Sequence, residues 1–242
     1  TAFFNTINCL FKLSPNFSLI VSILGIFTIL ALIKFMPKLK SLKTVTFKEE
    51  IEFFITFKAW HIILIVAIGF GGLFAWFSYI APLLINVSKF SPSSISYLML
   101  VAGVGMVAGN ILGGYLADKK DPIKVAIYLL SFMVIFLILV FFLSENKILS
   151  IILTFICGVF AMSVGTPINM VMVKSAKNSE MLGAAFMQAA FNVANSLGAL
   201  FGGIPLLYGL GFEYPALVGA FMAFFGLLLC MLFYIKYSKE KI

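Results

Sequence analysis

The 242 residues are 62% hydrophobic and only 11% charged, with a net charge of +8. A soluble domain carries roughly a quarter of its residues as charges, so a globular fold facing water on all sides is excluded. All 17 basic residues are lysine, and without the bidentate guanidinium the positive charge is not that of a nucleic-acid reader.

Crossing the hydrocarbon core takes roughly 20 apolar helical residues. Seven runs meet this: Phe17–Phe35, Ala59–Ile85, Ile95–Ala117, Ile123–Leu143, Ile148–Val173, Met181–Tyr208 and Tyr214–Tyr237. With no water to satisfy the backbone, each is expected to be helical, and their unbroken length excludes a barrel. The first run is followed by a lysine-rich stretch. Within it Phe47–Trp60 mixes Ile51, Phe53, Phe54, Ile55 and Phe57 with Glu49, Glu50, Glu52 and Lys58. It reads either as a helix lying on the membrane surface or as a solvated connector.

The second run holds Phe74, Trp76 and Tyr79 beside Gly71, Gly72 and Pro82, with His61 at its start. The aromatic residues read as lining for a flat or apolar ligand, or as interfacial anchors, the reading preferred for Tyr79. His61 reads as a structural residue at an interface. In the third run Gly105, Gly109 and Gly113 recur every four residues, which allows close helix packing in lipid. The turn after it, from Gly114 through Asp118, Lys119, Asp121 and Pro122 to Lys124, places a carboxylate where it can cap a neighbouring helix N-terminus and hold a gate shut, or simply makes a tight turn. The fifth run carries Thr154, Ser163, Thr166 and Asn169, and Pro167 is expected to kink it, as Pro205 is the sixth. The sixth combines small residues at Ala190, Ala194, Gly198 and Gly202 with Gln188, Asn192 and Asn195 on a shared face. In a bilayer such amides need partners or a wet cavity, so they read as a solute cavity or as helix-to-helix hydrogen bonds.

The loops alternate in lysine content without a break. Lys38, Lys40, Lys43 and Lys48 follow the first run, and Lys89 stands alone after the second. Then come Lys119, Lys120 and Lys124; Lys147 with Glu145; Lys174 and Lys177; Glu213 alone; and Lys236, Lys239 and Lys241. The positive-inside rule then places the amino end outside and the carboxyl end in the cytoplasm. No Asp, Glu or Lys lies deep in any run, so a proton-coupling carboxylate is expected outside this chain. Cys157 and Cys230 fall in apolar runs and Cys9 in the first segment, with no metal-ligand spacing or disulfide framework. Neither a nucleophile–base pair nor a nucleotide loop is present, so enzymatic activity, a cofactor and a metal are not expected. The chain begins at Thr1 without a signal-peptide pattern and reads as a piece of something longer.

Three stretches carry a family resemblance: Gly109–Lys119, Gln188–Gly203, and Ala81-Pro82-Leu83-Leu84 at the end of the second run. Together they resemble the carboxy-terminal half of a major facilitator superfamily transporter, in the bacterial drug and sugar efflux group of arabinose-efflux-like permeases. The resemblance implies an all-α membrane fold of one helix plus a six-helix half. Residues 1–37 would then be an outer segment and the last helix of the first half, 38–58 a cytoplasmic linker, and 59–242 the second half. It implies a secondary transporter, present here as a partial chain, that moves a drug, sugar or metabolite outward in exchange for protons. Its partners would be the small-molecule solute, the lipid bilayer and the missing amino-terminal helices, and its place the cytoplasmic membrane. Gly114, Asp118, Lys119 and Lys124 would serve the gate, although Lys119, Asp121 and Lys124 stand where the family pattern carries arginines and a second glycine. Trp76, Thr166, Asn169, Gln188, Asn192 and Asn195 would face the solute. The alternative is a non-transporting membrane subunit or sensor that reuses the half-fold.

Overall fold

A computed structural model describes residues 15–35, 53–176 and 179–237. The chain divides into two compact units, Thr1–Thr44 and Val45–Ile242. In the first, α1 (Pro15–Phe35) is a 21-residue helix that meets the first expected run and ends on Lys34 in its last turn. The surface segment expected at Phe47–Trp60 lies partly outside the described residues.

Among the described residues of the second unit, six helical segments are long and apolar enough to cross a membrane. They correspond to the remaining six runs of the sequence. Two of them are broken. The first is α2 (Phe57–Phe77) followed by α3 (Ile80–Asn86), and the fourth is α6 (Lys147–Ser163) followed by α7 (Gly165–Ala176). A proline accounts for each break. Pro82 offers no N–H to the carbonyl of Ser78, nor Pro167 to that of Ser163, so the helix reorients at those carbonyls. Pro205 instead stays inside its helix, two residues before the end. The remaining spans are α4 (Ile95–Lys119), α5 (Pro122–Leu143), α8 (Glu180–Leu207) and α9 (Tyr214–Tyr237).

Side-chain caps set several starts. Thr56 Oγ1 accepts from Ala59 N at 3.3 Å and opens α2. Asp121 Oδ1 accepts from Ile123 N at 3.0 Å with Pro122 in the first turn of α5. Asn146 Oδ1 accepts from Ile148 N at 3.0 Å and Leu149 N at 3.2 Å to open α6. Each supplies an acceptor to backbone donors that the helix itself leaves unpaired.

The packing repeats in two sets of three spans. The opening helix of the first set, α2, packs mainly against α8 and α9. The opening helix of the second set, α6, packs mainly against α4 and α5. Small residues make the close crossings, as the spacing predicts. Gly105, Gly109 and Gly113 are all buried on α4, and a Cβ at Gly109 would fall on the carbonyl of Val159 in α6. Ala190, Ala194, Gly198 and Gly202 form the buried face of α8, and a Cβ at Gly198 would sit 2.8 Å from Ala75 N of α2. Without hydrophobic drive between helices in lipid, contact of this kind supplies much of the association.

At the end away from the lysine-rich loops, a buried hydroxyl group ties three segments. Ser88 Oγ donates to the Ser144 carbonyl at 2.6 Å and lies 2.8 Å from Ser150 Oγ. Replacing Ser88 with alanine is expected to destabilise the bundle by about 1 kcal/mol. Unfolding of the full-length protein in mixed micelles reads this, and an unchanged midpoint would show that the hydroxyl group contributes nothing.

Candidate functional site

α4 and α8 are the least buried spans of the unit. Only 22% and 28% of their apolar stretches are covered, against 61% for α2 with α3. Each spends its small-residue stripe on one neighbour and presents the rest of its circumference outward. Between α4, α7 and α8 lies a cleft of about 270 Å³, lined by Asn110, Met162, Gly165, Thr166, Asn169, Ala184, Met187, Gln188 and Phe191.

The geometry follows from the packing. Gly109 lets α4 approach the end of α6, and the next residue, Asn110, is thereby carried to the start of α7. There Thr166 Oγ1 donates to Asn110 Oδ1 at 3.0 Å. The break at Val164 lets Gly165 open α7 beside two aromatic rings. A Cβ at Gly165 would lie 3.4 Å from Phe70 Cζ and 3.8 Å from Phe191 Cζ. Phe191 in turn packs on Phe70 with ring centres 4.4 Å apart. The cleft therefore combines apolar walls with three amides and one hydroxyl group. Among the described residues no charged side chain lines it. Such a surface can exchange hydrogen bonds with a solute, but it offers no ionic partner.

Three of the six residues expected to face a solute meet here: Thr166, Asn169 and Gln188. Asn192 and Asn195 share the exposed side of α8 with Gln188 but lie beyond the lining. Ser196 Oγ, next to Asn195, donates to the carbonyl of Asn192 at 3.1 Å. Trp76 does not take part. It is 2% exposed, buried in the core of the unit with its ring 6.2 Å from that of Phe77. The physical reason is that α2 with α3 is the most buried span of the unit, with α2 packed against both α8 and α9. Tyr79, read as an interfacial anchor, bonds across helices: its hydroxyl donates to the Ala199 carbonyl at 2.9 Å. Asn110 belongs to the cleft although only its uncharged, intramembrane position marks it in the sequence. Met162, Met187 and Phe191 give no such signal, because an apolar cavity wall and an apolar core look alike in sequence.

The turn from Gly114 to Lys124 lies at the lysine-rich end. Gly114 is half-buried, and a Cβ there would meet Thr166 Cγ2 at 3.9 Å. Asp118 is exposed near the end of α4 and has no hydrogen-bond or ion-pair partner among the described residues; the cap of α5 comes from Asp121 instead. Lys119 Nζ donates to Tyr115 Oη at 2.7 Å and stands 4.4 Å from that ring centre. Lys124 Nζ stands 5.4 Å from the ring centre of Tyr234. His61 is buried between α2 and α9, with Nε2 3.0 Å from the Leu229 carbonyl and its ring edge-on to Phe233. This is the interface position expected of it.

Six apolar spans and tight small-residue crossings describe a membrane bundle, and among the described residues it carries an uncharged polar cleft. The sequence profile of the Major Facilitator Superfamily matches residues 13–187. The chain belongs to the Major Facilitator Superfamily. It is 32% identical over 236 residues to the protein of Escherichia coli (strain K12) named "Putative transporter AraJ", an alignment covering 95% of this chain and 59% of that protein. It is 30% identical to the "Inner membrane transport protein YdhP" of the same strain, over 85% of this chain and 53% of that one. A third relative, named "Probable sugar efflux transporter", from Helicobacter pylori (strain P12), is 29% identical over 74% of this chain and 45% of its own length. The chain thus spans about half the length of the curated relatives it matches. Its all-helical build with six spans in one unit fits half of a superfamily bundle.

Proposed function

We propose that the protein containing this chain is a secondary transporter that exports a small, uncharged, polar solute across the cytoplasmic membrane, with its carboxyl end in the cytoplasm. The observation that carries this is the cleft of Asn110, Thr166, Asn169 and Gln188 on the two least-buried spans. Polar side chains on an exposed helix face are costly against lipid. Set against a second half of the bundle they line a site near the membrane midplane, where transporters of inverted or parallel repeats hold their solutes. Asn192 and Asn195 extend the same face toward the opposite end. Trp76 is left out of the site. The Helicobacter pylori relative's name is for sugar efflux, and a hydroxyl-rich neutral solute matches a lining of amides and one hydroxyl group.

Among the described residues no carboxylate lines the cleft, so proton coupling would draw on an acidic group from the other half of the bundle. Residues 38–58 would link the halves on the cytoplasmic side. Gly114, Asp118, Lys119 and Lys124 would form the gate at that end, with the exposed Asp118 carboxylate free to engage the other half when the cytoplasmic mouth closes.

The test is counterflow in proteoliposomes of the full-length protein under an imposed pH gradient, with labelled solutes of similar size that are neutral, anionic or cationic. Neutral polyhydroxyl solutes are expected to exchange and charged ones to be excluded by at least tenfold. Equal rates for a charged solute would sink the reading. In the same assay, Asn192→Leu is expected to lower the rate severalfold; unchanged transport at unchanged expression would remove Asn192 from the solute path.

A further inference from the structure

The end of the second unit away from the lysine-rich loops carries another cavity, of about 670 Å³, whose lining includes Asn86, Lys89, Phe141, Ser144, Glu145 and Glu213. Two contacts gather these residues from three connections of the chain. Phe141 stands edge-on to Tyr214 with ring centres 5.2 Å apart, which carries the end of α5, and Glu145 with it, to the start of α9 and Glu213. Ser88 Oγ donates to the Ser144 carbonyl at 2.6 Å, which sets the next residue, Lys89, beside the same end of α5. Lys89 stands there at φ 58°, a left-handed conformation uncommon for a residue with a Cβ.

The polar groups of this cavity are unspent. Among the described residues, neither the Glu145 and Glu213 carboxylates nor the Lys89 ammonium group has a hydrogen-bond or ion-pair partner, although all three line one space. Asn86 Nδ2 donates to the Pro82 carbonyl at 2.8 Å, which leaves Oδ1 as an acceptor. Ser144 is 1% exposed, and its Oγ has no hydrogen-bond partner. The backbone of Ser144 is engaged on both sides, its carbonyl by Ser88 and its N–H by the Val140 carbonyl. A buried hydroxyl group without a partner is rare and costly. This one belongs to a residue that lines the cavity, and so it points to a polar occupant. Among the described residues no three acidic, histidine or cysteine side chains gather to hold a metal ion.

We propose that this cavity binds a small zwitterion, with its ammonium group at Glu145 and Glu213 and its anionic group at Lys89. Two carboxylates accept charge-assisted hydrogen bonds from a primary ammonium group, and an aromatic ring beside them suits an organic cation. The lysine supplies the opposite charge for a phosphate or carboxylate, and the volume is that of a small-molecule site. The shared chemistry is an ammonium group and an anion on one short chain, which a free molecule and a phosphatidylethanolamine headgroup both provide. Bound there, it bridges the connection after α3, the turn between α5 and α6, and the turn before α9. The inference does not rest on the reading of the solute cleft, which shares none of these residues.

The experiment follows the thermal unfolding midpoint of the full-length protein in neutral detergent. The probes are phosphoethanolamine, ethanolamine, inorganic phosphate, calcium chloride, phosphatidylethanolamine and phosphatidylglycerol. The two zwitterionic probes are expected to raise the midpoint saturably, and those carrying only one of the two charges to need roughly tenfold more. A rise with phosphoethanolamine assigns the site to a free molecule, and a rise with phosphatidylethanolamine alone assigns it to a lipid headgroup. Glu145→Gln with Glu213→Gln is expected to raise the half-saturating concentration roughly tenfold, and Lys89→Gln roughly fivefold. Lys147→Gln, at the same end but outside the lining, should keep the wild-type response. No rise with either zwitterion, an equal rise with ethanolamine or calcium, or a response that survives in the double glutamine variant would overturn the site. If that variant does not fold, the probe comparison on the wild type and on Lys89→Gln still decides the question.

Discussion

Gly109→Ala is expected to destabilise the bundle by about 2 kcal/mol or more, within the range of overpacking and at its upper part because the obstacle is main chain. The sign is what makes the substitution informative. In an unobstructed helix, alanine is favoured over glycine by about 1 kcal/mol. At Gly109 the added Cβ would collide with Val159 of α6, lying 2.7 Å from its carbonyl carbon and 2.9 Å from its Cα. A flexible side chain could swing away, whereas a helix backbone has to move as a whole. That displacement would also separate Asn110 from Thr166, so the cleft is lost with the crossing. Gly103 supplies the control on the same helix, because nothing lies within 4 Å of a Cβ built there. Gly103→Ala is expected to be neutral or slightly stabilising. Unfolding of the full-length protein in mixed micelles measures both. A Gly109→Ala variant as stable as Gly103→Ala would refute the close approach of α4 and α6.

Gln188→Leu is expected to reduce transport by roughly five- to tenfold while leaving expression and unfolding unchanged. The Gln188 amide is exposed on α8, lines the cleft, and makes no hydrogen bond among the described residues. Its removal therefore leaves no partner unsatisfied within this chain. A solute that loses one well-formed hydrogen bond to it loses about 1–1.5 kcal/mol, which is roughly five- to tenfold. Tyr79→Phe is the mirror experiment. It deletes a hydroxyl group that donates across helices to the Ala199 carbonyl, so it should lower stability by about 0.6–1 kcal/mol and leave solute preference unchanged. A Gln188→Leu protein that transports at the wild-type rate would take Gln188, and with it the cleft, out of the solute path.

These two residues also show where a sequence can be read and where it cannot. Gly109 announces itself, because glycine every fourth residue in a lipid-exposed run has few uses other than close packing. Gln188 is visible as a polar residue in an apolar helix. Whether it faces a cavity or another helix depends on what the opposite wall contributes. That wall is Asn110, Thr166 and Asn169, from spans 19 or more positions away along the chain. Trp76 shows the converse. Its aromatic side chain fits a ligand pocket, yet it lies buried on the most covered span of the unit, and only the arrangement of neighbours makes that so. The breaks at Ser78 and Val164 follow from prolines four and three residues later, but how far each helix reorients is decided by the glycines and rings packed against it.

The membrane, the runs that cross it, the uncharged interior and the small-residue faces were all determined by the sequence itself. They arise from hydropathy, run length and residue size, which are local properties that a bilayer reads directly. Tertiary structure decided which face of each helix is spent on packing and which is left over. That choice brought Thr166 to Asn110 and the Tyr79 hydroxyl group to the Ala199 carbonyl. Each depends on pairs of residues from different helices coming within a few ångströms, and no single stretch of sequence holds both partners.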